Sequence, residues 1–534
     1  MILKNEHFVN KFELYLFAGF LFLNLIPVFL FKYLPTLDGP AHLHNANLIY
    51  NMVLGDSSFL ANFYQITKEL LPNWSGHFIL SSLNSFLPGW LAEKTLVTLY
   101  LVFLPLSFRW FIKSISPENY LLSYFIFPFC YSFTFFLGFY NFSLALILLF
   151  LLLAFWIKVQ KTLKPVNIIL LFILFTTLYF SHVFVFLISI LATGVIILTQ
   201  LFDDYEKTSG SQSFQQFLKR ITVIIFTSGL GIILSFIFLA SRKAFNYSYI
   251  PKIELLKWIR DIRPTIVFNF DHETVYTHIL FYLIVILTII TLVQMVMQLV
   301  KLKSGFTNFI ITSVKQNDLW LAFSFLLLLF YFFMPDSNGY SGYFSVRMGL
   351  LLFLFFIVWI ATRSYNKWVL IISITLIFIA NSGLNYYYLK QVRRLNFLAI
   401  EINNQAKLIK ENTVVLPMNF STNWIHGHLS NYLGIDKPLV ILENYECGTG
   451  YFPLKWNDNF PNTTIGNNSK DDFCTDWKTN SLSTMKYPVN FIFILGKQSE
   501  INKNKCAQQS IEKISKYYHL ISKTENTLLF ELME

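Results

Sequence analysis

The sequence predicts a polytopic α-helical membrane protein with about eleven spans and a small extracytoplasmic α/β domain at its carboxyl end. Three observations predict it. The 534 residues are 55% hydrophobic and only 13% charged, against the roughly 25% charged of an ordinary soluble domain. Apolar runs of about 18 residues or more recur between residues 12 and 388, each long enough to cross a hydrocarbon core of about 30 Å as a helix. Beyond Tyr388, Asn, Lys, Asp and Glu become frequent and the apolar stretches shorten, which marks a boundary between a membrane domain, 1–388, and a soluble domain, 389–534.

The first run, 12–34, is too long for a secretory signal and lacks its small-residue cleavage pattern, so it reads as a retained span. Further spans are expected at 92–112, 119–137, 139–157, 166–180, 183–201, 221–240, 275–299, 319–334, 343–362 and 368–388. With the amino terminus in the cytoplasm, alternate loops carry Arg109 and Lys113, then Lys158, Lys161 and Lys164, then Lys207, Lys219 and Arg220, then Lys301, Lys303 and Lys315, then Arg363 and Lys367. The intervening stretches 138–141, 180–182 and 335–342 have neither Lys nor Arg. This places the long loop 36–91 and the whole tail outside the cytoplasm. The net charge of +11 is thereby assigned to loops, and nucleic acid is not an expected partner.

One external loop breaks the charge rule. "SRKAFNYSYIPKIELLKWIRDIRPT" carries Arg242, Lys243, Lys252, Lys257, Arg260 and Arg263. It reads either as an amphipathic helix on anionic headgroups, through Ile253, Leu255, Leu256, Trp258 and Ile259, or as a cradle for a phosphorylated lipid. Arg347, a few residues inside a span, is a charge in the outer leaflet that needs a partner or a wet cavity.

Polar residues gather on the same external side: Asp38, His42 and His44, then Asn73, Trp74 and His77 in the first loop; Tyr140 and Asn141 in "LGFYNFS"; His182; Asp271, His272 and Glu273; and Asp336, Asn338 and Tyr340. One cavity on that face would collect most of them. Asp38 in "TLDGPAHLH" has two readings. With Pro40 in the first turn it is an N-cap; with a helix that starts earlier, Asp38 and His42 share a face at four-residue spacing and can share a proton or a metal ion. A carboxylate at the mouth of an apolar bundle suits general base work. Trp74, Tyr140, Tyr340 and Tyr343 offer flat faces for sugar rings, and the "HGH" at 426–428 is a weak metal pattern by itself. No phosphate-binding loop, Gly-x-Ser-x-Gly, HExxH, CxxC pair or dinucleotide fingerprint is present, which argues against cytosolic nucleotide chemistry.

In the tail, strands are expected at 413–418, 438–444, 489–496 and 527–533, and helices at about 393–410, 422–432 and 507–518. "NYECGTGYFPLKWN", 444–457, mixes Glu, Cys, aromatics and turn residues with no strand or helix period and reads as a loop that either packs the domain against the membrane part or touches substrate. Of the four cysteines, Cys130 lies in an apolar run, and Cys447, Cys474 and Cys506 allow one bridge with one thiol left over; whether Cys447 and Cys474 pair stays open.

An acidic residue just after the first span in "LPTLDGPAH", one long first external loop, many spans and an external carboxyl-terminal domain together resemble the GT-C superfamily of membrane glycosyltransferases, which includes protein O-mannosyltransferases and the aminoarabinose transferase. The resemblance implies a polyprenyl-phosphate or polyprenyl-diphosphate sugar as donor, inversion at the anomeric carbon, Asp38 as general base or metal holder, and Arg347 with the 242–263 basic loop as holders of donor phosphate. Many relatives carry two adjacent acids where this chain has Gly39 after Asp38, so His42 stands as the second group and a divalent metal, held by Asp38 and His42, is an open expectation. The acceptor is a glycan, a lipid or a protein. Two rivals from other classes are a flippase for a lipid-linked sugar, which would show internal repeats and interrupted helices, and a non-catalytic assembly or receptor subunit. The Lys, Asn and Ile bias suits an AT-rich bacterial genome, hence a bacterial inner membrane.

Overall fold

The computed structural model describes residues 2–55, 58–207, 210–242, 245–302, 318–457 and 488–533. They form two compact units. One comprises 1–26, 99–135 and 142–389, the other 27–98, 136–141 and 390–534.

The first unit is helical. Among the described residues of the chain, seven helices are long and apolar enough to cross a membrane: Phe12–Leu30, Gly89–Ile115, Tyr140–Val159, Val183–Tyr205, Gly210–Ser241, Phe270–Met297 and Lys367–Ala406. Three shorter apolar helices, Pro165–Ser181, Leu319–Phe333 and Phe344–Ile360, fall where spans were expected.

The expected span 119–137 is not a continuous helix. It is a 3-10 stretch, Pro117–Ile126, followed by the short helices Phe127–Cys130 and Phe133–Phe136. Pro117 and Pro128 remove backbone donors, Asn119 leaves the helical region at φ −113°, and Tyr131 does so at ψ 52°. Such backbone survives in an apolar setting only when buried and paired. Phe125, Phe127, Phe129 and Cys130 are buried, Tyr100 donates its hydroxyl to the Cys130 carbonyl at 2.9 Å, and Tyr131 donates to the Asn24 carbonyl at 2.7 Å.

The basic loop contains the helix Lys252–Arg260, with Leu255 buried and Ile253 and Leu256 exposed. An isolated bridge between Ser248 and Ser337 ties this loop to the 335–342 turn. An apolar cavity of about 340 Å³ opens beside it, lined by Ile259, Phe281, Ile284, Leu321, Phe325 and Phe353 among others.

The second unit is an α/β assembly built from both the first loop and the tail. Its strands are β1 (Tyr64–Ile66), β2 (Val414–Asn419), β3 (Val440–Ile441), β4 (Leu454–Trp456), β5 (Phe491–Leu495), β6 (Tyr518–Lys523) and β7 (Thr527–Leu532). Five form a sheet in the order β3-β2-β5-β7-β6, parallel on either side of β2 and antiparallel at β7. The continuous apolar run of β5, "FIFIL", is buried throughout, as a central strand covered on both faces requires. β1 pairs antiparallel with β4, and the Tyr64 and Trp456 rings stack at 4.7 Å. Leu48, Ile49, Leu60 and Phe63 from the first loop join Leu416, Met418, Ile492 and Ile494 in one core.

Three expectations for the tail change. The segment 444–457 contains the short helix Glu446–Thr449 and β4, because its pairing partner lies in the first loop, out of reach of any local period. The 422–432 segment is two 3-10 turns, Trp424–His426 and Leu429–Gly434. The last helix ends at Ile514, and β6 follows it. Cys447 is a free, buried thiol.

Candidate functional site

"TLDGPAH" folds as a turn that enters the helix Gly39–Leu54, with Pro40 in the first turn. Asp38 stands at the N-cap position with helical φ −91° and ψ −15°, yet its side chain makes no cap bond. Thr36 does that instead: its Oγ1 accepts from the Gly39 N–H at 3.1 Å. The Asp38 carboxylate is thereby released from a structural duty while its carbonyl accepts the His42 N–H at 3.0 Å.

The 136–141 turn lies directly against this segment. Leu37 and Asp38 donate their N–H groups to the carbonyls of Phe136 and Leu137 at 2.9 and 3.1 Å. Gly138 holds φ +82°, and a Cβ there would come within 2.7 Å of the Asp38 and Gly39 nitrogens. A Cβ on Gly39 would meet the Tyr140 hydroxyl at 2.5 Å and Glu93 Oε1 at 2.8 Å. Two glycines thus permit the close approach that brings Tyr140, Glu93 and Asp38 together.

Around this turn the described residues build three linked groups. In the first, His42 Nε2 faces the Gly138 carbonyl at 3.0 Å and its Nδ1 lies 2.7 Å from Glu446 Oε1, while His77 Nε2 bonds Glu446 Oε2 at 2.7 Å. The two imidazoles meet edge to face at 5.0 Å, and the Phe452 ring closes on both at 5.6 Å. In the second, His428 Nδ1 contacts Glu443 Oε1, and its Nε2 lies 3.7 Å from Asp38 Oδ1. Ser430 and Asn431 hold the other Glu443 oxygen at 2.7 and 2.5 Å, and the Tyr445 ring stacks on His428 at 4.3 Å. In the third, Glu93 accepts the hydroxyls of Tyr140 at 2.9 Å and Tyr432 at 3.2 Å.

Burial raises the proton affinity of Asp38, and although His428 and His42 pull it back, the net direction is upward. Burial alone would lower His428, but the Glu443 carboxylate and then Asp38 lift it to about 8. Burial likewise works to raise Glu446, yet His42 and His77 outweigh it and hold this carboxyl well below its ordinary range. A carboxylate of raised basicity beside a charge-carrying imidazole that is itself oriented by a second acid is an arrangement able to take a proton from a bound hydroxyl.

The other expected residues divide between the units. Asn141 accepts the Gly76 N–H at 2.7 Å and donates to the Asn73 carbonyl at 3.0 Å, which fixes the start of the helix Ser75–Asn84 and with it His77. Trp74 occupies the position before that helix and is half-buried. His44 belongs to the packing: its nitrogens face Asn431 Oδ1 and the Leu439 carbonyl, both at 3.1 Å, and burial lowers it to about 4. The "HGH" histidines diverge, since His426 bonds the Ser421 hydroxyl at 2.8 Å.

His182, Asp271, Asp336, Tyr340, Arg347, Arg242, Arg260 and Arg263 belong to the membrane unit. His182 packs on Phe142 at 5.2 Å; Arg347 is buried with its guanidinium toward the Phe344 and Phe142 rings. Arg263 donates to the Ile266 carbonyl at 2.6 Å and lies over the Phe133 ring at 4.1 Å, Arg260 pairs with Asp261 at 2.8 Å, and Arg242 lies over Phe238. Asp336 accepts the Ser345 N–H at 3.0 Å, so it holds a helix start, and Tyr340 packs against Phe245. Asp271 is exposed, and its neighbour Glu273 accepts from Phe268 and Asn269 at 2.9 Å. Lys243 lies outside the described residues.

Sequence reasoning missed Glu93, Glu443 and Glu446. Glu93 left a signal as an acid at the start of an apolar run, and Glu446 lies in the 444–457 loop, one reading of which was substrate contact. No family profile and no curated protein matches the chain.

Proposed function

We propose that this protein is an integral-membrane glycosyltransferase that moves a sugar from a polyprenyl-phosphate or polyprenyl-diphosphate donor to an acceptor outside the cytoplasm. The observation that carries the reading is the Asp38 carboxylate, which is buried, relieved of capping by Thr36 and faced by the His428–Glu443 pair. The acceptor O–H gives its proton to Asp38 as its oxygen bonds to the anomeric carbon. The bond from that carbon to the phosphate oxygen breaks, and the electron pair leaves on the lipid phosphate. A leaving phosphate needs positive charge more than it needs an acid; Arg347, Arg260 and Arg263, all in the first unit, are the candidates to hold a lipid phosphate. The apolar cavity whose wall includes Ile259, next in sequence to Arg260, suits a polyprenyl chain with its phosphate near the basic helix. The acceptor is a glycan, lipid or protein, and the host membrane is a bacterial inner membrane with loop 36–91 and the tail outside.

The test uses full-length protein in lipid nanodiscs with a panel of polyprenyl-phosphate sugars, following release of the lipid phosphate. The expected result is turnover by the parent and a fall of about 10²–10⁴-fold in Asp38→Asn, the usual contribution of a general base. Equal turnover by Asp38→Asn would remove the aspartate from the chemistry. No turnover of any donor would favour the flippase or assembly-subunit reading.

A further inference from the structure

We propose that His42, His77 and Glu446 form a site for one divalent first-row metal ion, zinc or a close equivalent, in the extramembrane unit. The inference does not depend on the transfer chemistry.

The Gly138 carbonyl oxygen only accepts, so the His42 nitrogen that faces it at 3.0 Å, Nε2, carries the hydrogen. In the neutral ring, Nδ1 is then a bare lone pair. Nδ1 lies 2.7 Å from Glu446 Oε1, an ion pair if the ring carries a second proton, and neither buried atom has a further hydrogen-bond partner. Two electron-rich atoms held at that distance away from water call for a positive particle between them, a proton or a metal ion, and the second imidazole favours the metal. A carbonyl that fixes the outer nitrogen of a histidine is also the usual device that orients a metal-binding imidazole.

His77 completes the set. Its Nε2 faces the second Glu446 oxygen at 2.7 Å, and its Nδ1 is buried with no hydrogen-bond partner. One ligand atom from each of the three side chains lies within 4.8 Å of the others. Their side chains are only 4%, 1% and 0% exposed, and Phe452 excludes water from one side. Two imidazoles and one carboxylate match the donor set of zinc sites with an open fourth position, whereas magnesium and calcium prefer oxygen alone. Ligand atoms about 2.1 Å from a tetrahedral ion stand roughly 3.4 Å apart, so contacts of 2.7 Å widen by about 0.7 Å to admit it. The three ligands come from separate elements, Gly39–Leu54, Ser75–Asn84 and Glu446–Thr449, so an ion there also ties the first loop to the tail.

The experiment purifies the full chain in nanodiscs through a tag without histidines, strips it with a chelator and titrates it with Zn²⁺ and Co²⁺ in the absence of any sugar donor. Elemental analysis is expected to find one retained equivalent of Zn²⁺, and Co²⁺ the visible absorption of a four-coordinate ion. Both are expected to vanish in Glu446→Gln and in His77→Gln, with Mg²⁺ unable to compete. Should those variants fail to fold, X-ray absorption of the Zn²⁺-loaded parent decides, with two imidazoles in the first shell expected. A parent that binds no ion, variants that bind as the parent does, or a first shell without imidazole would overturn the proposal and leave a protonated histidine pair around Glu446. Since the readout is binding, failure here is distinguishable from failure of Asp38 in donor turnover.

Discussion

The two units differ in the partners most of their buried acids have. In the first unit most acids meet arginines: Glu13 with Arg109 through two bonds of 2.7 Å, Asp204 with Arg220 at 2.5 Å, and Asp318 with Arg363 at 2.5 Å, while Asp261 is shared between Arg260 and His278, each at 2.8 Å. In the second unit the buried acids Asp38, Glu443 and Glu446 meet histidines, and Glu93 meets two tyrosines. An arginine is permanently charged, so its pairs are fixed in one state and serve cohesion. A histidine changes charge near neutrality, so an acid that faces one is poised between states.

The comparison can be broken at its strongest point first. Glu446→Ala leaves two buried imidazoles without their carboxylate and is expected to cost about 3–5 kcal/mol in thermal unfolding. Arg109→Met alone should cost a similar amount, whereas Glu13→Leu with Arg109→Met should return to within about 1 kcal/mol of the parent. If a matching apolar replacement of His42, His77 and Glu446 were neutral both for stability and for metal retention, the distinction between the units would fail. Gly138→Ala comes next. Its φ of +82° and the approach to the Asp38 nitrogen predict a loss of about 2–3 kcal/mol, read in the same unfolding experiment.

The pH dependence sharpens the comparison. His428 is raised from 6.5 to about 8 in the fold, so the folded chain holds that proton more tightly than the unfolded one. Its stabilising contribution is complete below pH 6.5, declines as pH rises and is lost beyond about 8. The difference of roughly 1.5 units corresponds to about 2 kcal/mol. Unfolding measured across that window should show the decline in the parent and a flatter profile in His428→Gln. The smallest effect concerns caps. Asn504 accepts the Ala507 N–H at 3.2 Å, so Asn504→Ala should cost about 1 kcal/mol in the same unfolding experiment.

The sequence carried the local part of this molecule. The four-residue spacing of Asp38 and His42 and the Pro40 start were legible because they depend on helix geometry alone. So were β2, β3, β5 and β7, whose apolar runs are long for their surroundings. The pairing of β1 with β4 was not, since three residues in each strand carry no period of their own. Glu446 was hidden for the same reason: 369 positions separate it from His77, and no pattern in "NYECGTG" singles it out. The 119–137 run misled because hydropathy registers apolar content and not the prolines that break a helix.

The β1–β4 ribbon also sets a schedule for synthesis. Tyr64 leaves the ribosome about 390 residues before Trp456, its partner in the ribbon. At about 5–20 residues per second the first loop waits roughly 20–80 seconds for the strand that covers it. Throughout that interval Leu48, Phe63 and Tyr64, all buried in the finished unit, have no core to enter. Folding of this loop is therefore a late event, and a ribosome stalled before residue 440 would display an early segment in need of a chaperone.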